Sequence, residues 1–303
     1  MRKEALLMAE IAEEVIEFKG IEDNRLVATV FSSGAEESNP PALFMHGGGQ
    51  TRYSWEGAAK QLCSLGVTCI TVDARGHGES DWVESKNYSF YEYRDDMILI
   101  VSQIRERFGR APILIGASMG GISGMLASEK AGADQFSAMV FVDITPRMEA
   151  SGVAKIQGFM AEKMKEGFAS AQEAADAIAA YLPNRKRPRS LDGLRKNLRK
   201  GEDGRLYWHW DPAFLRGPRT IDTLRDEGEE RLPDACRSIS VPTLLVRGAN
   251  SELVTEEAAA EFLELVPHSK FVDVSDAGHM VAGDRNDIFA AAVIDFLKAE
   301  VLA

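Results

Sequence analysis

The residues that could do chemistry begin with Ser118, in the run Gly116-Ala117-Ser118-Met119-Gly120-Gly121. A short β-branched stretch, Ile113 to Ile115, reads as a buried strand ahead of it, and a small-residue helix, Ile122 to Ala131, reads as following it. This is a Gly-x-Ser-x-Gly pattern between a strand and a helix. A serine on so sharp a turn projects its hydroxyl above the sheet edge. The flanking glycines are required because a Cβ there would meet neighbouring backbone. The helix aims its free N–H groups and positive dipole end at whatever the serine attacks. A serine hydroxyl is a weak nucleophile until a base takes its proton. His279, in Asp276-Ala277-Gly278-His279-Met280, is the only histidine after the final strand-like run, and Gly278 lets its loop come close. A plain Gly-rich turn with an inert serine is the bland alternative, and the elements around the motif must decide.

Those elements alternate. Val15–Phe18 and Arg25–Phe31 predict a hairpin turning at Asp23-Asn24. Ala42–Met45 is an apolar run ending in His46-Gly47-Gly48-Gly49-Gln50. A helix follows with Trp55, Ala58, Ala59 and Leu62 on one face, closed by Gly66. Val67–Val72 is a β-branched strand running into Asp73-Ala74-Arg75-Gly76-His77-Gly78-Glu79-Ser80, and Tyr91–Phe108 has helical spacing. Ala138–Asp143 is another strand. From Pro146 to about Ile239 strand-like sequence gives way to helical stretches, Val153–Glu166, Ala171–Tyr181, Leu191–Lys200 and Thr220–Arg231, with the aromatic patch Tyr207-Trp208-His209-Trp210 among them. Strands return at Thr243–Gly248 and Lys270–Val274, with helices at Glu256–Leu265 and Ile288–Leu297. Such alternation predicts an α/β fold with a mainly parallel sheet and ligands at the carboxyl ends of its strands. The glycine clusters all fall at such ends.

Composition narrows the function classes. The 303 residues are ordinary for a globular chain, and a net charge of −12 argues against nucleic-acid or acidic-membrane partners, whose attraction needs a basic face. The one basic run, Asn184–Arg189, reads as a solvated connector. Three cysteines without metal-ligand spacing fit a reducing compartment. No apolar run reaches the roughly 20 residues that span a bilayer, and the first ten residues lack a signal-peptide pattern. The expectation is a cytoplasmic protein acting on a small molecule, as monomer or homodimer.

Four pieces in sequence, His46-Gly47-Gly48-Gly49, Asp73 to Ser80, Gly116 to Gly120 and Ala277-Gly278-His279, closely resemble the α/β-hydrolase fold and cover nearly the whole chain. The resemblance implies an eight-stranded, mainly parallel sheet with helices on both faces. It also implies a core of residues 1–145 and 240–303 and an inserted helical cap of residues 146–239. It makes Ser118 the nucleophile and His279 the base, with no metal or organic cofactor. The oxyanion donors are Met119, by its place after the serine, and a glycine of the His-Gly-Gly-Gly loop, Gly48 first and Gly49 next. The family usually places its acid after the seventh strand as Gly-x-x-Asp. Here Gly248-Ala249-Asn250-Ser251-Glu252 puts a serine there and a carboxylate one residue later. Glu252 is the favoured acid; Asp143, where relatives such as haloalkane dehalogenases carry theirs, is the alternative.

A serine elbow separates this chain from the aspartate-dependent epoxide hydrolases and dehalogenases it also resembles. Ester or lactone hydrolysis through an acyl-enzyme is the first reading and carbon–carbon hydrolysis of a β-diketone the second. A cofactor-free peroxidase or oxygenase and a non-catalytic ligand receptor on the same fold come behind them. Tyr53, Trp208, His209 and Trp210 are candidate walls for an apolar substrate, aromatic ones included.

Overall fold

The computed structural model describes residues 11–34, 38–182, 190–223, 231–281 and 286–302. The basic run Asn184–Arg189, the first ten residues and most of the expected helix from Thr220 to Arg231 lie outside the described residues. Eight strands form one sheet: β1 (Ala12–Lys19), β2 (Arg25–Ser32), β3 (Ala42–Met45), β4 (Cys69–Val72), β5 (Ile113–Ala117), β6 (Ala138–Val142), β9 (Thr243–Gly248) and β10 (Lys270–Val274). Their spatial order is β1-β2-β4-β3-β5-β6-β9-β10. The expected hairpin pairs β1 with β2 in antiparallel register from Ala12↔Ser32 to Lys19↔Arg25. β2 meets β4 antiparallel, and every later pairing is parallel. This is the α/β-hydrolase architecture that the sequence leads one to expect.

The central strands are apolar without a break because both their faces are covered. In β5, Leu114 faces one core while Ile113 and Ile115 face the other; in β6, Met139 and Phe141 oppose Ala138, Val140 and Val142. One core is filled from α2 (Phe90–Phe108), α3 (Met119–Ala131), α8 (Arg231–Arg237) and α9 (Glu256–Leu265) by Met97, Ile100, Leu126, Cys236 and Phe262. The opposite core takes Leu62 from α1 (Glu56–Cys63), Phe289 and Leu297 from α10 (Asn286–Glu300), and Trp55. The start of α2 is set by a capping box in which Ser89 and Glu92 bond each other's backbone amides, and its end by Gly109 at φ 71°.

Between β6 and β9 lie α4 (Ala150–Ala161), α5 (Ala171–Tyr181), α6 (Asp192–Arg195), β7 (Leu198–Lys200), β8 (Leu206–Trp208), α7 (Ala213–Arg216) and α8. Two expectations fail here. The helix expected over Leu191–Lys200 stops at Arg195, and the chain turns into a two-stranded ribbon, Leu198↔Trp208 to Lys200↔Leu206. Gly201 and Gly204 close that ribbon, the latter at φ 81°, a conformation that L side chains rarely adopt. The helix expected to reach Glu166 ends at Ala161, and Lys163 is left-handed at φ 58°. Three-residue strands carry no readable period, so helical propensity alone mispredicts them.

Candidate active site

Ser118 stands between β5 and α3 at φ 45°, ψ −114°, a conformation strained for any residue with a side chain. What permits so tight a turn is the absence of side chains beside it. A Cβ on Gly120 would lie 2.5 Å from the Met45 carbonyl oxygen, and one on Gly116 would lie 2.9 Å from the Gly120 backbone. The same device recurs one strand over: Asp143, directly after β6, is left-handed at φ 47° and fully buried. His279 comes from the loop between β10 and α10. Its Nδ1–H donates to Asp143 Oδ2 at 2.7 Å. The same carboxylate accepts the Gly248 amide on Oδ1 at 2.9 Å and the Ser251 hydroxyl on Oδ2 at 2.6 Å. Three donors satisfy a carboxylate that burial would otherwise make costly to keep charged.

The loop after β3 is held from all sides. The Gly47 amide donates to Gln50 Oε1 at 3.0 Å, and the Gly49 amide to His77 Nε2 at 3.1 Å. Among the described residues the Gly48 amide has no protein acceptor. Three neutral imidazoles do the holding, each donating from one nitrogen and accepting on the other. His46 joins Gly47 O to the Ala74 amide, and His77 joins Arg75 O to the Gly49 amide. His209, from the segment between β6 and β9, donates to Gly49 O at 3.1 Å and accepts the Gly78 amide at 2.7 Å. Asp73, Arg75 and Glu79 are loop architecture. Buried Arg52 is paired with Asp73 and Glu79, and Arg75 grips Asp96 at 2.6 Å and 2.7 Å.

Ser118 and His279 open on a cavity of about 1560 Å³. Gly48, Met119 and Val142 line it from the sheet side. Met148, Val153, Ile156, Phe159, Met160, Trp208, Trp210 and Phe214 line it from the segment after β6. Among the described residues, the cations on its wall are each bonded to a carboxylate: Lys155 to Glu252 at 2.5 Å, Arg147 to Glu261 at 2.7 Å and Arg231 to Glu129 at 2.6 Å.

Residues 40–285 match the family described as alpha/beta hydrolase fold. The chain belongs to the α/β-hydrolase fold family. It is similar to esterase Rv0045c of Mycobacterium tuberculosis, 30% identical over 253 residues that cover 82% of this chain and 79% of the relative. A solved structure of that esterase superposes with a TM-score of 0.72 at 26% identity, covering 95% of this chain and 92% of the other. A second relative is the 2-(acetamidomethylene)succinate hydrolase of Mesorhizobium japonicum, 29% identical over 296 residues, 97% of this chain and 99% of the relative. A crystal structure of E-2-(acetamidomethylene)succinate hydrolase gives a TM-score of 0.74 at 26% identity, covering 94% of this chain and all of the other. A third is the 3-hydroxybutyrate-oligomer hydrolase of Cupriavidus necator, 28% identical over 256 residues, 80% of this chain and 84% of the relative. These relatives are hydrolases, and this chain is an α/β hydrolase.

The structure of this hydrolase places several sequence-predicted residues otherwise than expected. Asp143, not the favoured Glu252, meets His279. Ser251 ends the turn after β9 by accepting the Leu253 and Val254 amides on its hydroxyl, at 3.1 Å each, and Glu252 then reaches Lys155 on α4. Gly49 spends its amide on His77, which leaves Gly48 as the loop's free donor. Trp208 and Trp210 line the cavity, but Tyr53 and His209 do not. Tyr53 stacks against Arg52 and Lys196, whose charged ends lie 4.3 Å and 4.2 Å from its ring centre. Sequence reasoning missed the apolar face of α4. Val153, Ile156 and Met160 repeat at i, i+3 and i+7, a helical stripe that was there to be read.

The histidine clasp has a pH signature. Burial pushes the His209 pKa down to about 4, and His46 and His77 below the usual range. Protonating His209 would turn the nitrogen that accepts the Gly78 amide into a donor. An imidazole with its folded pKa below the unfolded value costs no stability above pH ~6.5. It loses stability as pH falls from there toward the folded pKa. His209 alone should account for about 3 kcal/mol between pH ~6.5 and ~4. Urea unfolding at a series of pH values tests this: the wild type should weaken steeply over that window, and His209→Asn should start weaker but show a flatter dependence. Parallel curves would refute it.

Proposed function

We propose that this α/β hydrolase cleaves a carboxylic ester or lactone of a small to medium apolar substrate through an acyl-enzyme on Ser118. The observation that carries the reading is the 2.7 Å bond between His279 Nδ1 and buried Asp143, on a cavity that Ser118 also lines. In that reading Asp143 fixes the imidazole with its proton on Nδ1, so Nε2 is left to take the Ser118 proton. The hydroxyl oxygen attacks the substrate carbonyl. The resulting oxyanion is met by the uncommitted Gly48 amide and by the Met119 amide, which as the first residue of α3 has no partner in its own helix. His279 then hands the proton to the leaving alcohol. Water, deprotonated by His279, attacks the acyl carbon and frees the acid and Ser118.

The walls support an uncharged substrate. Among the described residues they are mostly aliphatic and aromatic, and each described wall cation is already paired with a carboxylate, which favours an uncharged substrate over one that needs a free counter-charge there. Residues 146–239 act in this reading as a cap over the core of residues 1–145 and 240–303, with His209 tying it to both glycine loops. Three buried cysteines outside any disulfide fit a cytoplasmic enzyme. Among the described residues no helix is long and apolar enough to cross a membrane.

A fluorophosphonate probe followed by peptide mass spectrometry tests the reading. The adduct is expected on Ser118 in folded protein and should not form when the protein is heat-denatured before the probe is added. Folded protein with no adduct there, or with the adduct elsewhere, refutes it. A panel of p-nitrophenyl esters, lactones and vinylogous diketones then separates the chemistries, and cleavage of the diketones alone would replace ester hydrolysis by carbon–carbon hydrolysis.

A further inference from the structure

Ser251 makes and breaks no bond in acyl transfer, yet its hydroxyl is the third donor to the buried carboxylate. A serine hydroxyl has one proton and two lone pairs. Here both lone pairs are engaged, one by the Leu253 amide and one by the Val254 amide, at 3.1 Å each. The proton has one place left to go, and Asp143 Oδ2 lies 2.6 Å away. That is the oxygen that receives His279 Nδ1–H at 2.7 Å. The turn that carries Ser251 is itself tied to the histidine loop. The Asn250 amide donates to Ala277 O at 2.9 Å, and a Cβ on Gly248 would lie 2.3 Å from Gly278 O. The hydroxyl therefore cannot drift relative to the imidazole it shares an oxygen with.

We propose that Ser251 is a positioning residue for this reaction: its hydroxyl pins Asp143 Oδ2 toward His279 and draws off part of the charge that would otherwise raise the basicity of the imidazole. The proposal rests on the reading of Ser118, His279 and Asp143 as the reacting set. A role confined to closing the turn would account for the two amides but not for the fixed direction of the proton.

The test is the pH profile of kcat/KM for hydrolysis of p-nitrophenyl butyrate by the full chain. The acidic limb reports the imidazole, which must be unprotonated to act as base. In Ser251→Ala the full carboxylate charge faces the ring, so the limb should move to higher pH by about half to one unit. kcat should fall about tenfold, with KM changed less than about twofold. Ser251→Thr, which keeps the hydroxyl, should restore both. In an Asp143→Asn background the Ser251→Ala change should have no further effect on the limb, because the carboxylate charge it acts through is gone. If Ser251→Ala does not fold, Ser251→Cys, with a weaker donor in nearly the same volume, carries the same comparison. An unmoved limb in a folded variant, or a limb shift that persists without Asp143, overturns the proposal. Collapse of Asp143→Asn with an unmoved Ser251→Ala limb defeats the Ser251 proposal alone. An Asp143→Asn enzyme as active as wild type defeats the underlying reading as well.

Discussion

Ser118→Ala is expected to lower kcat by about 10⁴- to 10⁶-fold at unchanged stability. In the proposed mechanism the serine acts with its base as one unit, which sets the size: without the hydroxyl there is no acyl-enzyme, and His279 has no proton to take. What remains is binding and the two amides, which still favour the tetrahedral geometry if water attacks directly. The fold should survive because the hydroxyl does not hold the turn. Ser118 bonds its neighbours through its backbone, from its amide to Val142 O at 3.4 Å and from the Ile122 amide to its carbonyl at 2.9 Å. Alanine keeps both bonds and bears the same left-handed φ. Active-site-titrated kinetics and a thermal melt check the two halves. A loss below about tenfold in a folded variant would mean that the serine does not carry the acyl group.

Much of this site is legible in the amino-acid sequence, for a physical reason. A tight turn at the end of a buried strand requires residues without side chains, and that requirement leaves glycines at fixed spacing around Ser118, after β3 and before His279. Apolar runs covered on both faces announce the parallel strands between them. Residue type is a poorer guide where the answer depends on which way a side chain leaves the backbone. His209 and Trp210 are neighbours in one aromatic patch, but one clasps two loops while the other lines the cavity. Tyr53 follows the glycine loop by four residues and turns outward to Arg52 and Lys196. The ribbon of β7 and β8 is invisible because three residues carry no period and its pairing comes from the glycine turn. The acid is undecidable from residue types for a related reason. β6 and β9 are adjacent in the sheet, both end beside the histidine loop, and each is followed closely by a carboxylate.

The structure separates those two carboxylates, and their variants should diverge by orders of magnitude. Asp143→Asn is expected to lower kcat/KM by about 10³- to 10⁴-fold, and Glu252→Gln to leave it within about threefold. An asparagine at 143 offers one acceptor where the carboxylate offers two. The Gly248 amide and the Ser251 hydroxyl compete with His279 for it, at 2.9 Å and 2.6 Å against 2.7 Å. Its amide NH₂ toward the ring would hold His279 in the tautomer protonated on Nε2, which cannot accept the Ser118 proton. Glu252 has none of these ties. Its partner Lys155 is half exposed, so a glutamine leaves that cation to solvent and the reacting groups untouched. Kinetics on folded variants decide between them. A collapse in Glu252→Gln with near-normal turnover in Asp143→Asn would mean that the loop after β9 rearranges to bring Glu252 to the imidazole, and that the bond from Asp143 to His279 belongs to a resting state.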